Sequence, residues 1–191
     1  MFLIAFFKAG CYNADKKGVM SMWKNKLVVN VSHKWPIPAD EQIDLAARLG
    51  FDGFFISWKS GIPAEQMLSY RGKADEKGLL FQSVHAPFGK AGDLWKDDET
   101  GDLAEKELMD CIDVCALIGV DLCVIHANKG FDRYYANPVG EKRLERVALK
   151  AKEQNIRIAL ENVEGDACLA GAMEYLRDFD NVGFCWDTGH E

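Results

Sequence analysis

An α/β fold, a (β/α)8 barrel truncated here to about six βα units, is predicted by three features of the sequence. Short apolar runs rich in β-branched and aromatic residues alternate with helix-like segments along residues 26–191. The runs are apolar nearly throughout, as the strands of a parallel sheet covered on both faces must be. Several of them end in a residue able to hold a cation or move a proton: LFQSVHA at His85, DLCVIHA at His126, RIALEN at Glu161, and VGFCWDTGH at Asp187 and His190.

LVVNVS (27–32) opens the alternation. ADEQIDLAARLG follows as a helix with Asp40 near its start, Ile43, Ala46, Ala47 and Leu49 on one face, and Gly50 as its stop. DGFFIS (52–57) is the next strand, followed by a helix over 63–77 with Pro63 in its first turn and Gly78 after its last. After the strand LLFQSVH (79–85), Asp102 and Glu105 have capping-box spacing for a helix that turns Leu108, Cys111, Ile112 and Cys115 inward and ends at Gly119. DLCVIH (121–126) is a strand, and beyond Pro138 a charged helix runs to Gln154. IRIALE (156–161), a short helix over 167–177 and the strand VGFCWD (182–187) complete the series.

A doubly wound open sheet shares this alternation. Such a sheet usually carries a glycine-rich nucleotide turn after its first strand, and the sequence has no GxGxxG, GxxxxGK[ST] or GxSxG. An open sheet also concentrates its site at one switch point, whereas a barrel draws on many strand ends, so loaded ends in succession favour the barrel. Residues 1–25 read as an N-terminal extension and 26–191 as a partial barrel with strands 1 to 6, lacking strands 7 and 8. That arrangement leaves the first and last strands with unpaired edges and favours self-association into a homo-oligomer.

The formal charge of -7 argues against broad attraction to nucleic acid or to an anionic membrane, since those partners need clustered Lys and Arg. A small molecule is the expected partner. The cysteines at 11, 111, 115, 123, 168 and 185 form no CxxC pair, so they read as reduced thiols of a cytoplasmic protein, with Cys111 and Cys115 as small core residues. MFLIAFF is too short to span a bilayer and lacks the basic flank and cleavage site of a signal peptide.

A carboxylate ending an apolar strand is costly to hold ionised unless something replaces its hydration. For Glu161 that partner is either a divalent cation shared with Asp187 or a basic residue such as Arg157 or Lys129. Asp187-Thr188-Gly189-His190 brings an imidazole back towards the Asp187 carboxylate, or else is a simple turn or cap. His85 and His126, taken singly, read as residues capping a neighbouring carbonyl; taken with the other strand ends, they point to one site. Trp35, Trp58 and Trp186 lie near strand ends and read as core aromatics, with stacking on a sugar as their alternative use.

SVHAP, VIHA, ALEN and WDTGH together resemble the xylose isomerase-like TIM barrels, a superfamily of sugar isomerases, sugar-phosphate epimerases and endonuclease IV. The resemblance covers about residues 26–191, and LEN with DTGH is its most specific pair. It implies a metal-dependent sugar or sugar-phosphate isomerase or epimerase that moves a proton through an enediolate. It implies that Glu161 is both metal ligand and acid/base group, that Asp187 is a metal ligand and that His190 orients the substrate. His85 and His126 line the substrate pocket, with Trp58 as an added substrate contact, and Asn162 holds Glu161 in place. Such a ligand set, rich in carboxylate, suits Mn2+, Mg2+ or Co2+ better than Zn2+.

The family's site also takes a His from the seventh strand and a Glu from the eighth, which the sequence does not contain. An inactive or sugar-binding fragment is therefore one alternative. An endonuclease IV-like phosphodiesterase acting at abasic DNA is another; it predicts clustered zinc and basic loops, which the acidic balance opposes.

Overall fold

A computed structural model describes residues 2–5, 26–130, 135–164 and 167–190. Strands β1 (Phe2–Ala5), β2 (Val28–Ser32), β3 (Gly53–Ser57), β4 (Leu80–His85), β5 (Leu122–His126), β6 (Arg157–Glu161) and β7 (Val182–Asp187) form one sheet in the order β1-β7-β6-β5-β4-β3-β2. From β2 to β7 every neighbouring pair is parallel. The connections contain α1 (Ala39–Arg48), α2 (Ala64–Lys77), α3 (Glu99–Leu117), α4 (Pro138–Glu153) and α5 (Ala167–Tyr175), so successive parallel strands are joined by helical crossovers, as βαβ units require.

The strand that sequence reading did not assign is β1. It pairs antiparallel with β7, Phe2 opposite Asp187 and Ala5 opposite Phe184, and so covers the edge expected to be bare. The remainder of the 1–25 extension, Cys11 included, lies outside the described residues. At the other edge, β2 pairs with β3 alone among the described strands.

The helices begin and end where local chemistry allows. Pro63 precedes α2, and Gly78 closes it in the left-handed region at φ 65°. Asn137 caps α4 by accepting from the Val139 and Gly140 amides, with Pro138 at the first helical position. The expected capping box at Asp102 and Glu105 is corrected. The cap of α3 is Asp98, whose extended backbone lets its carboxylate accept from the Thr100 and Gly101 amides. Asp102 is already a turn inside the helix, where it binds Arg143, and Glu105 pairs with Arg146.

Side chains alternate across each strand, so the sheet has a helix-side face and an inner face. Phe54, Ile56, Ile125, Ile158 and Leu160 point to the helices and meet Ile43, Met67, Ile112 and Leu144 in the main core. Leu122, Val124, Ala159 and Cys185 form a smaller inner cluster. The β3–β4 ladder carries one irregularity. Phe54 pairs with Phe81 and Ile56 with Val84, so two steps on β3 face three on β4: an extra residue bulges at Gln82–Ser83. The bulge lets Phe81 and Val84 both face the helices and turns His85 to the inner face, which regular alternation from Phe81 would deny it.

Cys111 and Cys115 are core residues, as expected, and Cys111 lies 3.7 Å from Cys123 between their sulfurs. Trp58 is also buried in the main core. For Trp35 and Trp186 the core reading is corrected, since they are 52% and 38% exposed. Trp186 faces the helix side of β7 and lines a groove with Leu169, Met173 and Phe184. Among the described residues no helix is long and apolar enough to cross a membrane.

Two glycine substitutions test this packing. A Cβ on Gly53 would collide with the Leu80 backbone carbonyl across the β3–β4 ladder, while one on Gly72, in α2, meets nothing. Gly53→Ala should cost about 3 kcal/mol, and Gly72→Ala should stabilise by about 1 kcal/mol; urea-unfolding midpoints read both.

Candidate functional site

Parallel strands in register end along one edge, and this sequence puts its chemistry at those ends. His85, His126, Glu161 and Asp187 are the last residues of β4, β5, β6 and β7 respectively. His126 and Glu161 are register partners, and the bulge in β4 brings His85 level with Val124, two residues before His126. After β7, the turn Thr188–His190 folds back, fixed by the Gly189 amide donating to Asp187 Oδ1 at 2.8 Å.

Glu161 is the centre of the cluster, at 1% exposure. Its Oε2 lies 3.3 Å from His85 Nε2, and its Oε1 lies 3.5 Å from His126 Nε2 and 3.7 Å from His190 Nε2. The two imidazoles of His85 and His126 are 3.2 Å apart at their Nε2 atoms. His190 Nε2 is also 3.5 Å from Asp187 Oδ2, and its Nδ1 is 3.5 Å from Glu164 Oε1. Arg157, one of the basic partners considered for Glu161, instead pairs with Asp121.

Two groups of three ligand atoms result, His85/His126/Glu161 and Glu161/Asp187/His190, each within 4.8 Å and both containing Glu161. Ligands about 2.1 Å from one tetrahedral ion lie about 3.4 Å apart, so separations of 3.2 Å and 3.7 Å fit an ion with little rearrangement. The tautomers suit it too. His85 Nδ1 is 2.7 Å from the Ala86 carbonyl, which can only accept, so a proton sits on Nδ1; loss of the second proton, which the charged ring directs from Nε2 to Glu161, would leave the Nε2 lone pair for an ion.

Charge is tightly coupled here. Burial pushes the Glu161 carboxyl up, but hydrogen bonds and charge from His126 and His85 outweigh it and hold its pKa at about 2. Burial likewise opposes a charged His85 ring, yet the hydrogen bond and charge of Glu161 raise its pKa above the ordinary 6.5. His126 goes the other way, lowered first by burial and further by the neighbouring His85, because two imidazoles in contact resist a second proton.

The structure therefore brings together His85, His126, Glu161, Asp187 and His190, with the two histidines of β4 and β5 in direct reach of the carboxylate. Asn162 stands next to them but grips a different group from the one expected. Its side chain donates to the Asp187 carbonyl at 2.9 Å and accepts from the Asp187 amide at 2.6 Å, locking the end of β7 to the end of β6. The reason is alternation: Asn162 follows Glu161 and so cannot share its face. Trp58 is placed apart from the cluster; its amide donates to the His85 carbonyl, but its ring packs in the main core.

Sequence reading missed two neighbours. Phe88 stacks on the His126 ring at 4.9 Å and 22° and meets His85 edge-on at 5.7 Å. Glu164 adds a carboxylate beside His190, and only its spacing of three from Glu161 hinted at it.

The sign of the Glu161 shift sets an acid dependence. With its folded pKa at about 2 against an ordinary 4.5, Glu161 stabilises the metal-free fold fully above pH 4.5 and loses that contribution as pH falls through the folded value. The loss should approach about 3 kcal/mol. Urea unfolding of metal-free protein at pH 5 and pH 3 should show the onset of it in the wild type, and Glu161→Gln should remove that part of the difference.

A profile of the family described as "Xylose isomerase-like TIM barrel" matches residues 43–191. No curated protein matches the sequence. Among solved structures, the chain is similar to a xylose isomerase domain protein from Planctomyces limnophilus, with 14% identity and a TM-score of 0.63 over 86% of this chain and 64% of that one. A D-tagatose 3-epimerase-like protein shares 19% identity at a TM-score of 0.68, over 85% and 65%. Endonuclease IV from Thermus thermophilus shares 20% at 0.59, over 83% and 61%. The chain thus spans a little under two thirds of the length of each, and at these identities the likeness is one of fold.

Proposed function

Because the chain belongs to the xylose isomerase-like TIM barrel family, we propose that its strand-end cluster holds a divalent metal ion and serves the isomerisation or epimerisation of a sugar or sugar phosphate. The observation that carries this reading is the shared position of Glu161, a buried carboxylate faced by three imidazoles and flanked by a second carboxylate, with no Lys or Arg paired to it among the described residues.

The ion would be held by one of the two sets that share Glu161, His85/His126/Glu161 or Glu161/Asp187/His190. When bound, it would polarise a substrate carbonyl and stabilise the negative charge of an enediolate. Glu161, kept ionised by its histidine neighbours, would take a proton from the carbon beside that carbonyl and deliver it to the carbonyl carbon for isomerisation, whereas epimerisation would take a second acid/base group on the opposite face. With the ion on the His85/His126/Glu161 set, His190, at the rim of the cluster and less buried than His85 and His126, would hydrogen-bond a substrate hydroxyl. Asn162 keeps Asp187 in register with Glu161, so the two carboxylates converge.

The ligand sets modify the choice of metal. Glu161 with Asp187 and His190 suits Mn2+, Mg2+ or Co2+, whereas two imidazoles with one carboxylate, as in His85/His126/Glu161, is a set that zinc enzymes use. That second set favours keeping a zinc-dependent phosphodiesterase of the endonuclease IV kind as the rival reading. The net charge of -7 still opposes a nucleic-acid substrate. A small-molecule partner and a cytoplasmic setting accord with that charge and with the free cysteines, and the groove beside Trp186 is a place where copies of the chain could associate.

Calorimetric titration of metal-free protein with Mn2+ and Zn2+ at pH 6 and pH 8 tests the ion site. Binding should tighten at the higher pH, because His85 must give up the proton that Glu161 helps it keep, and Glu161→Gln and Asp187→Asn should each weaken it at least about tenfold. NMR of ketoses and ketose phosphates incubated with the loaded protein should show epimer or aldose formation, falling about 100-fold or more in Glu161→Gln. Metal uptake without turnover would support a sugar-binding role, and cleavage of abasic DNA with tight zinc would overturn the isomerase reading.

A further inference from the structure

The segment between β4 and α3 touches His126 and the residue after it at two independent points. Phe88, near its start, lies nearly parallel to the His126 imidazole, with ring centres 4.9 Å apart. Trp95, near its end and buried in the core, donates its indole N–H to the carbonyl of Ala127, the residue after His126, at 2.7 Å. We propose that Trp95 and Phe88 are positioning residues that fix the rotation of the His126 ring towards Glu161, and hence set the affinity and choice of the ion held there, an inference that rests on the reading of the cluster as an ion site.

The segment is itself firmly held. Gly140, in the first turn of α4, packs flat on the Trp95 indole, where any Cβ would collide with the ring. Asn137 donates to the Trp95 carbonyl at 2.9 Å while its other side-chain atom caps α4. Arg143, buried on α4, gathers the carbonyls of Leu94, Lys96 and Asp98 and the Asp102 carboxylate around one guanidinium. A cation committed to three backbone carbonyls of one connection makes a rigid mount, and a rigid mount is what a metal-binding imidazole needs: its ring must stay within about half an ångström of the productive placement. The Trp95 bond acts on the backbone immediately after His126, and the Phe88 ring acts on the imidazole face, so together they remove the two freedoms the strand end leaves it.

Zn2+ and Mn2+ titrations of the full chain, combined with 15N–1H spectra of the histidine rings, test the proposal in Trp95→Phe, Phe88→Leu, Phe88→Tyr and Ile43→Val. Trp95→Phe and Phe88→Leu should weaken Zn2+ binding about tenfold and move the His126 ring signals. Phe88→Tyr keeps the stacked ring and should bind as the wild type does. Ile43→Val, a core change on α1, should lower stability while leaving binding and the His126 signals in place, which separates positioning from general loosening. Unchanged Zn2+ affinity and unmoved His126 signals in both Trp95→Phe and Phe88→Leu would overturn the inference. If the wild type itself takes up neither ion, the ion-site reading falls, and the ring signals of the metal-free protein alone decide the positioning.

Discussion

A single ionised carboxylate in a nearly dry place organises this end of the molecule. Glu161 is 1% exposed, and in such surroundings its charge would be expelled or neutralised unless partners replaced the lost water. Among the described residues the chain supplies three imidazoles for it and no Lys or Arg. A lysine would have formed a closed ion pair with nothing left to bind. Imidazoles answer the charge differently, because a neutral ring also offers a nitrogen lone pair.

The rest of the architecture can be understood as what it takes to bring those groups to one point. Parallel pairing sets four strand ends along one edge, the bulge in β4 rotates His85 inward, and the Asn162 clamp ties β7 to β6 so that Asp187 arrives beside Glu161. Each device costs the fold something locally. The bulge leaves a ladder position unpaired, and Gly53 must lack a side chain for β3 to approach β4 there. That these costs serve one carboxylate is what distinguishes a built site from a strand end that is merely polar.

Much of this was legible in the sequence. The parallel strands fall within a residue of the apolar runs, since an unbroken buried run has no other way to satisfy both faces of a sheet, and Gly50, Gly78 and Gly119 mark turns that do adopt positive φ. What escaped reading had physical causes. LFQSVH carries no sign of a bulge, because Gln82 and Ser83 fit either register equally well. β1 could not be placed from FLIA alone, since its pairing depends on an edge formed by residues far along the chain. Capping-box spacing pointed to Asp102, but the cap is Asp98, which accepts from the Thr100 and Gly101 amides, while Asp102 is drawn to Arg143 on α4, a partner that spacing cannot reveal. How near the histidines of β4 and β5 come to Glu161 is likewise absent from a one-dimensional pattern, which does not say how close two strand ends lie.

The double use of Glu161 also limits what the site can do. The nearest approach of His85 is to Oε2, while those of His126 and His190 are both to Oε1. An ion drawn to the imidazole-rich side and one drawn to the carboxylate-rich side would therefore compete for the same oxygen unless Glu161 bridged them, one oxygen to each. Selectivity then depends on which imidazole can turn away from Oε1. His126 is held on its face by Phe88 and through its backbone by Trp95, whereas His190 stands on a short turn with Glu164 at its far nitrogen. If the cluster holds an ion as proposed, the less constrained ring would yield first, with the imidazole-rich set as the fixed half and the Asp187–His190 set as the half that adjusts.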